Sequence, residues 1–258
     1  MVNVVFSGAA GRMGRRLIAL THEHPEMTVV AGIEATGHPD MGETIGPIAV
    51  TDTIDVDFDV LVDFSLPAGT MQCLAKVLNA KKAMVIGTTG HTEQQLATIR
   101  DAAKTVPIVK AGNMSLGVNV LFKIAGQVAK ALGPDYDIEI VEHHHRHKVD
   151  APSGTALGLL QSITEATGQD PAKDVTYGRQ GHTGERSAKQ IGMHSLRLGD
   201  TVGEHEVHFG TLGETVILKH SAHARDTFAV GALRAALWIK DKPAGLYSMQ
   251  DVLFGETT

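Results

Sequence analysis

Two stretches of this chain carry residue types whose spacing can do chemistry. The first is Gly8-Ala9-Ala10-Gly11-Arg12-Met13-Gly14, a GxxGxxG loop lying between a short apolar run and a helix-like run. Small residues there let backbone N–H groups approach a pyrophosphate at a helix N-terminus, where the helix dipole favours negative charge. The spacing departs from the commoner GxGxxG, so the loop alone is a weak signal. Glu34 strengthens it. It stands about 20 residues beyond the last glycine, at the end of the next strand-like run, where a carboxylate accepts the ribose hydroxyls of an adenosine. The plainer alternative is a tight strand-to-helix turn beside a solvated glutamate. Loop and acid together favour a nicotinamide dinucleotide.

The second stretch is Glu142-His143-His144-His145-Arg146-His147-Lys148. A metal site is the obvious rival reading. Neighbouring residues on a strand point to opposite faces, so His143, His144 and His145 cannot all ligate one ion unless the chain turns. The metalloprotease pattern HExxH is missing, so no metal is expected. A solvated polar loop without a role is the other alternative. Acid–base chemistry fits better, because histidine titrates near neutrality and a neighbouring lysine can hold an anion or donate a proton. Just beyond, Asp150-Ala151-Pro152-Ser153-Gly154-Thr155 sets backbone N–H groups at a helix start, a seat for a carboxylate. Dinucleotide loop, proton donor and anion seat together describe a reductase.

The elements that must position these groups are legible in the apolar pattern. Strand-like runs at residues 2–7, 28–33, 61–64, 83–86 and 107–109 alternate with helical stretches at 12–24, 67–78 and 92–104. Continuous apolar strands separated by helices predict a parallel sheet covered on both faces, a doubly wound Rossmann-type α/β fold. After Asn113 the character changes. Residues 116–132 read as a helix, 138–141 as a strand, and 153–168 as a second helix. Residues 170–190 show no periodicity and are expected to be a long exposed loop. Strand-like runs at 193–198, 206–209 and 215–218 predict an α+β second domain on an antiparallel or mixed sheet. A last helix at 227–239 is expected to return to the first domain. The expected division is therefore 1–114 with 225–258, and 115–224. Ser115 to Gly117 and the neighbourhood of Ala224 are the expected hinges.

Composition narrows the function further. The chain has 258 residues, 43% hydrophobic and 20% charged, enough apolar content to bury a core. A net charge of −6 and 4% aromatic residues argue against a nucleic-acid binder, which needs phosphate-neutralising cations. The single cysteine, Cys73, excludes a disulfide framework. No apolar run approaches a membrane span of about 18 residues, and the N-terminus lacks the basic leader of a signal peptide. A cytoplasmic protein without a membrane partner is expected.

The strings GAAGRMGR, VIGTTG, EHHHRHKVDAPSGTA, GHTGER and FAVGALRAALWI occur in that order. They resemble the 4-hydroxy-tetrahydrodipicolinate reductase (dihydrodipicolinate reductase) family over nearly the whole chain. The resemblance implies an NAD(P)H-dependent oxidoreductase of lysine and diaminopimelate biosynthesis, acting on a cyclic imine dicarboxylate to give tetrahydrodipicolinate. It also implies a homotetramer, with the cofactor on the Rossmann domain and the substrate on the central domain. Carried over by position, Gly8, Ala9, Ala10, Gly11, Arg12 and Met13 resemble the pyrophosphate loop and Glu34 the ribose contact. Gly87, Thr88, Thr89, Ala111, Gly112, Asn113 and Met114 resemble the walls around the nicotinamide. His144 resembles the family's proton donor or acceptor and Lys148 its second donor; His145, Lys148, Ser153, Gly154 and Thr155 resemble substrate contacts. Thr88, Thr89 and Asn113 also read as plain turn residues.

Two competing functions frame that resemblance. One is a two-domain nicotinamide oxidoreductase of another small carbonyl or imine. The other is a silent NAD-binding regulator, which would have lost His144 or Lys148. One local departure bears on cofactor choice. In many relatives a basic residue follows the ribose-binding acid, whereas Glu34 here is followed by Ala35-Thr36-Gly37, and no Lys or Arg occurs between Arg16 and Lys76. Ten acidic residues fall in that interval. NADH is therefore expected to be preferred, with NADPH tolerated.

Overall fold

The computed structural model describes residues 1–255. In chain order its elements are β1 (Val2–Ser7), α1 (Arg12–His22), β2 (Met27–Ile33), β3 (Thr44–Ile45), β4 (Ile48–Thr51), β5 (Val60–Asp63), α2 (Pro67–Ala80), β6 (Ala83–Ile86), α3 (Glu93–Ala102) and β7 (Pro107–Lys110). There follow α4 (Leu116–Leu132), β8 (Asp137–His144), α5 (Gly154–Thr167), α6 (Pro171–Asp174), β9 (Val175–Tyr177), β10 (Ile191–Arg197), β11 (Gly203–Thr211) and β12 (Glu214–Ala222). The chain closes with α7 (Asp226–Ile239), β13 (Gly245–Tyr247) and α8 (Met249–Phe254). Two compact units result: Met1–Leu116 with the segment from Asp226 onward, and Gly117–Arg225. No helix is long and apolar enough to cross a membrane among the described residues.

The first unit is a sheet of order β13-β7-β6-β5-β1-β2-β4-β3. Its neighbours pair in parallel except for the β3/β4 hairpin. Successive strand residues face opposite ways, so Val4 and Phe6 of β1 join one apolar cluster with α1 and α7, while Val5 joins another with α2 and α3. Burial on both faces is why these strands are nearly continuous apolar runs. Strand order reverses at β1, which has β2 on one side and β5 on the other. A crevice forms outside the carboxyl ends of strands at such a switch point, and ligands of open α/β sheets bind there.

The second unit is a mixed sheet of order β12-β11-β8-β10-β9. β8, β10 and β9 run parallel, and β11 is antiparallel to both β8 and β12. Helices α4 and α5 cover one face, with Leu121, Ala125, Leu159 and Ile163 packed on Ile138, Ile140 and Val207. The segment 170–190 is not wholly loop as its lack of periodicity predicts. Asp170 caps α6 by accepting the Ala172 N–H at 3.0 Å, and Val175-Thr176 find a partner in the edge of β10. Also absent from the sequence reading are β3, β4, β13 and α8, which are too short to show a period.

Candidate active site

The glycine loop leaves β1 through Gly8, whose φ is +76° and whose Cβ, if present, would lie 2.4 Å from the Phe64 carbonyl oxygen. Only glycine fits there. A Cβ on Gly14 would stand 2.1 Å from the Gly8 oxygen, so glycine is also what lets α1 start hard against the loop. Gly8 and Ala9 donate their N–H groups to the Ile33 carbonyl at 3.0 and 3.3 Å, and Ala10 donates to Glu34 Oε1 at 2.9 Å. Glu34 and the loop are thus joined directly. The N-cap of α1 is Gly11, with no side-chain cap and no acidic residue in the first turn, so the positive end of the helix is left for an anion. Arg12 is exposed and Met13 half-buried on α1's first turn. Loop, Glu34, His38 and Lys76 border a cleft of about 530 Å³. These features suit a dinucleotide.

At the carboxyl end of β5, Asp63 is fully buried. Its carboxylate accepts from Ser65 Oγ at 2.5 Å, Thr70 Oγ1 at 2.6 Å and Thr88 Oγ1 at 2.9 Å. Thr88, expected at the nicotinamide wall, therefore spends its hydroxyl on the scaffold. Gly87 packs against Phe64, where a Cβ would meet the ring at 2.4 Å, while Thr89 and Gly112 are exposed. Asn113 accepts the Ser115 N–H at 2.8 Å, and Met114 is buried in the unit's core. Ala111 packs against the same core. His91, just past Thr89, buries both ring nitrogens without a partner, and burial followed by Lys110 pushes its pKa down.

In the second unit, β8 alternates faces, turning Ile138, Ile140, Glu142 and His144 inward and His143 the other way. Glu142 is fully buried. Arg197 grips it with both nitrogens, Nη1 to Oε2 at 2.8 Å and Nη2 to Oε1 at 2.9 Å. His144 Nδ1 lies 2.5 Å from Oε2, and the Ser153 N–H donates to Oε1 at 3.1 Å. Burial raises the carboxyl's pKa, but the hydrogen bonds from Arg197 and His144 outweigh it and hold it at about 2. His144 moves the other way. Burial lowers its pKa, Glu142 raises it, and the charges of Lys148 and Arg197 lower it again, leaving it below the ordinary histidine value.

Around this pair the predicted substrate contacts divide. Ser153 is buried: its Oγ accepts the Ala156 N–H at 3.1 Å, capping α5, and meets His205 Nε2 at 3.0 Å. At the start of α5 Gly154 is exposed and Thr155 half-buried, and a Cβ on Gly154 would touch nothing within 4 Å. Lys148 donates to Asp150 Oδ1 at 2.8 Å. His145 has a buried, unpartnered Nδ1 and lies 6.2 Å, ring to ring, from His147. His205 stacks edge-on against His144 at 5.1 Å, and burial followed by the neighbouring His144 lowers its pKa to about 3. Among the described residues no three His, Cys, Asp or Glu side chains are grouped to hold a metal ion.

Sequence reasoning missed Asp63, Lys76, His91, Arg197 and His205 as members of these sites. Glu142 was legible in principle, since residues two apart on a strand share a face. Arg197 and His205 come from other strands, and no local pattern announces them.

A doubly wound unit with a switch-point glycine loop, and a mixed-sheet unit burying a histidine–carboxylate pair beside a helix start, define the two-unit dinucleotide-dependent oxidoreductases. The family models for the dihydrodipicolinate reductase N-terminus and C-terminus match residues 2–114 and 117–253. The chain belongs to the dihydrodipicolinate reductase family. It is 47% identical to a 4-hydroxy-tetrahydrodipicolinate reductase of Psychrobacter arcticus, covering 98% of this chain and 95% of that one. It is 45% identical to the protein of that name from Hahella chejuensis, covering 98% and 99%. A dipicolinate-bound dihydrodipicolinate reductase from Paenisporosarcina superposes with a TM-score of 0.79 at 25% identity, over 97% of this chain and 98% of that one.

Proposed function

We propose that this chain is an NAD(P)H-dependent reductase converting 4-hydroxy-tetrahydrodipicolinate to tetrahydrodipicolinate in lysine and diaminopimelate biosynthesis. The observation that carries it is His144, held by a buried carboxylate that also grips the start of α5, with Lys148 following in the same turn. The dipicolinate-bound dihydrodipicolinate reductase from Paenisporosarcina supports a dicarboxylate ligand here. When bound, the dinucleotide supplies a hydride. The 4-hydroxyl leaves as water to give the conjugated imine, and hydride addition to that imine leaves an electron-rich enamine carbon that takes a proton. His144 is the donor. Its depressed pKa means that the free enzyme holds it largely neutral at pH 7, and two substrate carboxylates restore the tendency to protonate. Lys148 and the amides of Gly154 and Thr155 hold the carboxylates, with His145 and Ser153 beside them. Gly8 to Met13 cradle the pyrophosphate, Glu34 takes the ribose, and Gly87 to Thr89 with Ala111 to Met114 border the nicotinamide.

NADH is the preferred cofactor in this reading. Arg15 is already paired with Glu43 at 2.7 Å and Asp40 at 3.3 Å, and Arg16 with Asp226 at 2.5 Å. The exposed Leu196 and Ile217 on the outer side of the second sheet support the expected homotetramer. The buried, free Cys73, its thiol raised to about 12 by burial, suits a cytoplasmic setting. The test is oxidation of NADH, followed by absorbance, with substrate made in situ by the synthase of the preceding step. Turnover only with that imine supports the proposal; turnover with other small carbonyls, or none, overturns it.

A further inference from the structure

The two oxygens of Glu142 do different jobs. Oε2 faces His144 Nδ1, Oε1 takes the amide of Ser153 at the start of α5, and Arg197 bridges both. Arg197 is fixed in turn by donating to the Asp150 carbonyl at 2.6 Å, in the turn that leads to Ser153. One fully buried carboxylate therefore ties β8, β10, the 148–153 turn and the α5 N-terminus together at the place where a proton donor and a carboxylate seat must keep register. An ionised Glu142 accepts only, so the ring nitrogen it faces must carry hydrogen. That leaves Nε2 as the ring nitrogen turned away from Glu142. Gly203 keeps room for it, since a Cβ there would lie 3.1 Å from Nε2.

We infer that Glu142, clamped by Arg197, is a positioning residue that fixes His144 with hydrogen on Nδ1 and Nε2 presented to substrate, and that it locks this donor to the carboxylate seat of α5. The inference rests on the proposed reduction for its kinetic arm only. The groups facing His144 are Glu142 on its own strand, Arg197 on β10, His205 on β11 and Lys148 in the following turn. Glu142 is the one anion among them. Its removal leaves the imidazolium beside two cations.

The experiment is ¹⁵N NMR of the histidine-labelled full chain across pH, paired with kinetics, for the wild type and Glu142→Gln. The wild type is expected to show His144 with hydrogen on Nδ1 at high pH; hydrogen on Nε2 instead overturns the inference. In Glu142→Gln the His144 midpoint is expected to fall by about 1–3 pH units, the usual effect of losing an adjacent opposite charge. The alkaline limb of kcat/KM should move down with it. Affinity for pyridine-2,6-dicarboxylate should weaken about tenfold, the Kd for NADH should stay within about twofold, and kcat should fall by about tenfold or more. Lost activity with an unmoved midpoint and pH profile would mean a merely structural role. If the single variant fails to fold, Glu142→Gln with Arg197→Met removes both charges. The His144 midpoint should then fall less, because the Arg197 cation that also lowers it is gone. The deciding readout is then the tautomer, where hydrogen still held wholly on Nδ1 overturns the inference. A wild type inactive on the imine sinks the proposed function, while the NMR arm still decides the positioning role.

Discussion

Cofactor choice is where the structure allows a magnitude to be worked. A 2′-phosphate carries nearly two negative charges at pH 7. Glu34 is fixed on the Ala10 amide, and Asp40 and Asp52 border the same cleft. Two unit charges about 4 Å apart in water repel by about 1 kcal/mol, so phosphate against Glu34 costs about 2 kcal/mol. Physiological salt, with a Debye length of about 8 Å, leaves a little over half of that. The expected outcome is close to a tenfold preference for NADH in kcat/KM. The opposing cations are Arg12, exposed on the first turn of α1, and Lys76, whose Nζ donates to the Asp52 carbonyl at 2.7 Å. Lys76 lies at the end of the cation-free interval in the sequence, yet α2 brings it to the cleft. Ala35→Arg should raise kcat/KM for NADPH about tenfold and leave NADH nearly unchanged. Lys76→Met should lower NADPH use alone. The assay is kcat/KM with each cofactor at two ionic strengths, and the NADH advantage should shrink at the higher. A tenfold advantage for NADPH in the wild type, or no response to Ala35→Arg, refutes the reasoning.

Replacing His144 or Lys148 by alanine should lower turnover by about a hundredfold or more while the NADH Kd measured by fluorescence stays unchanged; near-normal turnover in His144→Ala would remove it as the donor. Gly14→Ala puts a Cβ 2.1 Å from the Gly8 oxygen, so α1 must shift at a cost of about 1–3 kcal/mol, read as weaker NADH binding and a lower Tm. Buried His205, held at about 3, binds fewer protons folded than unfolded between pH 6.5 and 3, so stability falls as pH drops through that window. Between pH 6.5 and 5 this is about 2 kcal/mol, and His205→Asn should flatten that slope in denaturant titrations. Glu139 behaves as a depressed carboxylate. Burial raises its pKa, but hydrogen bonds from Arg179, His194 and Arg186 bring it to about 2, so its stabilisation holds above pH 4.5 and is lost between there and 2. Glu139→Gln should therefore remove part of the acid sensitivity seen by circular dichroism below pH 4.5.

What was legible in the chain, and what was not, follows from the range of the forces involved. β1, β5 and β6 are buried on both faces, so their apolar runs could be read directly, as could α1 and α5 from the glycines and Ser153 that flank them. Those are local signals. Edge strands such as β9 exist because a neighbouring strand offers hydrogen bonds, and Val175-Thr176 carry no sign of that neighbour. The proposed catalytic cluster divides along the same line. His144 and Lys148 lie at the end of one strand and in the turn after it, so their types and spacing suggested proton chemistry before any fold was known, whereas the part played by Glu142, two residues before His144 on that strand, was not read. What sets their behaviour comes from residues 55 and 61 positions away. Arg197 reaches Glu142 because β10 pairs in parallel with β8, and His205 reaches His144 because β11 pairs with β8 in the opposite sense. A one-residue slip in either register would turn the arginine or the second histidine to the other face of the sheet. The identity of the proposed acid is thus a property of one strand, whereas its inferred tautomer and its pKa depend on three strands in register. A sequence pattern can nominate the first, but only the paired sheet supplies the second.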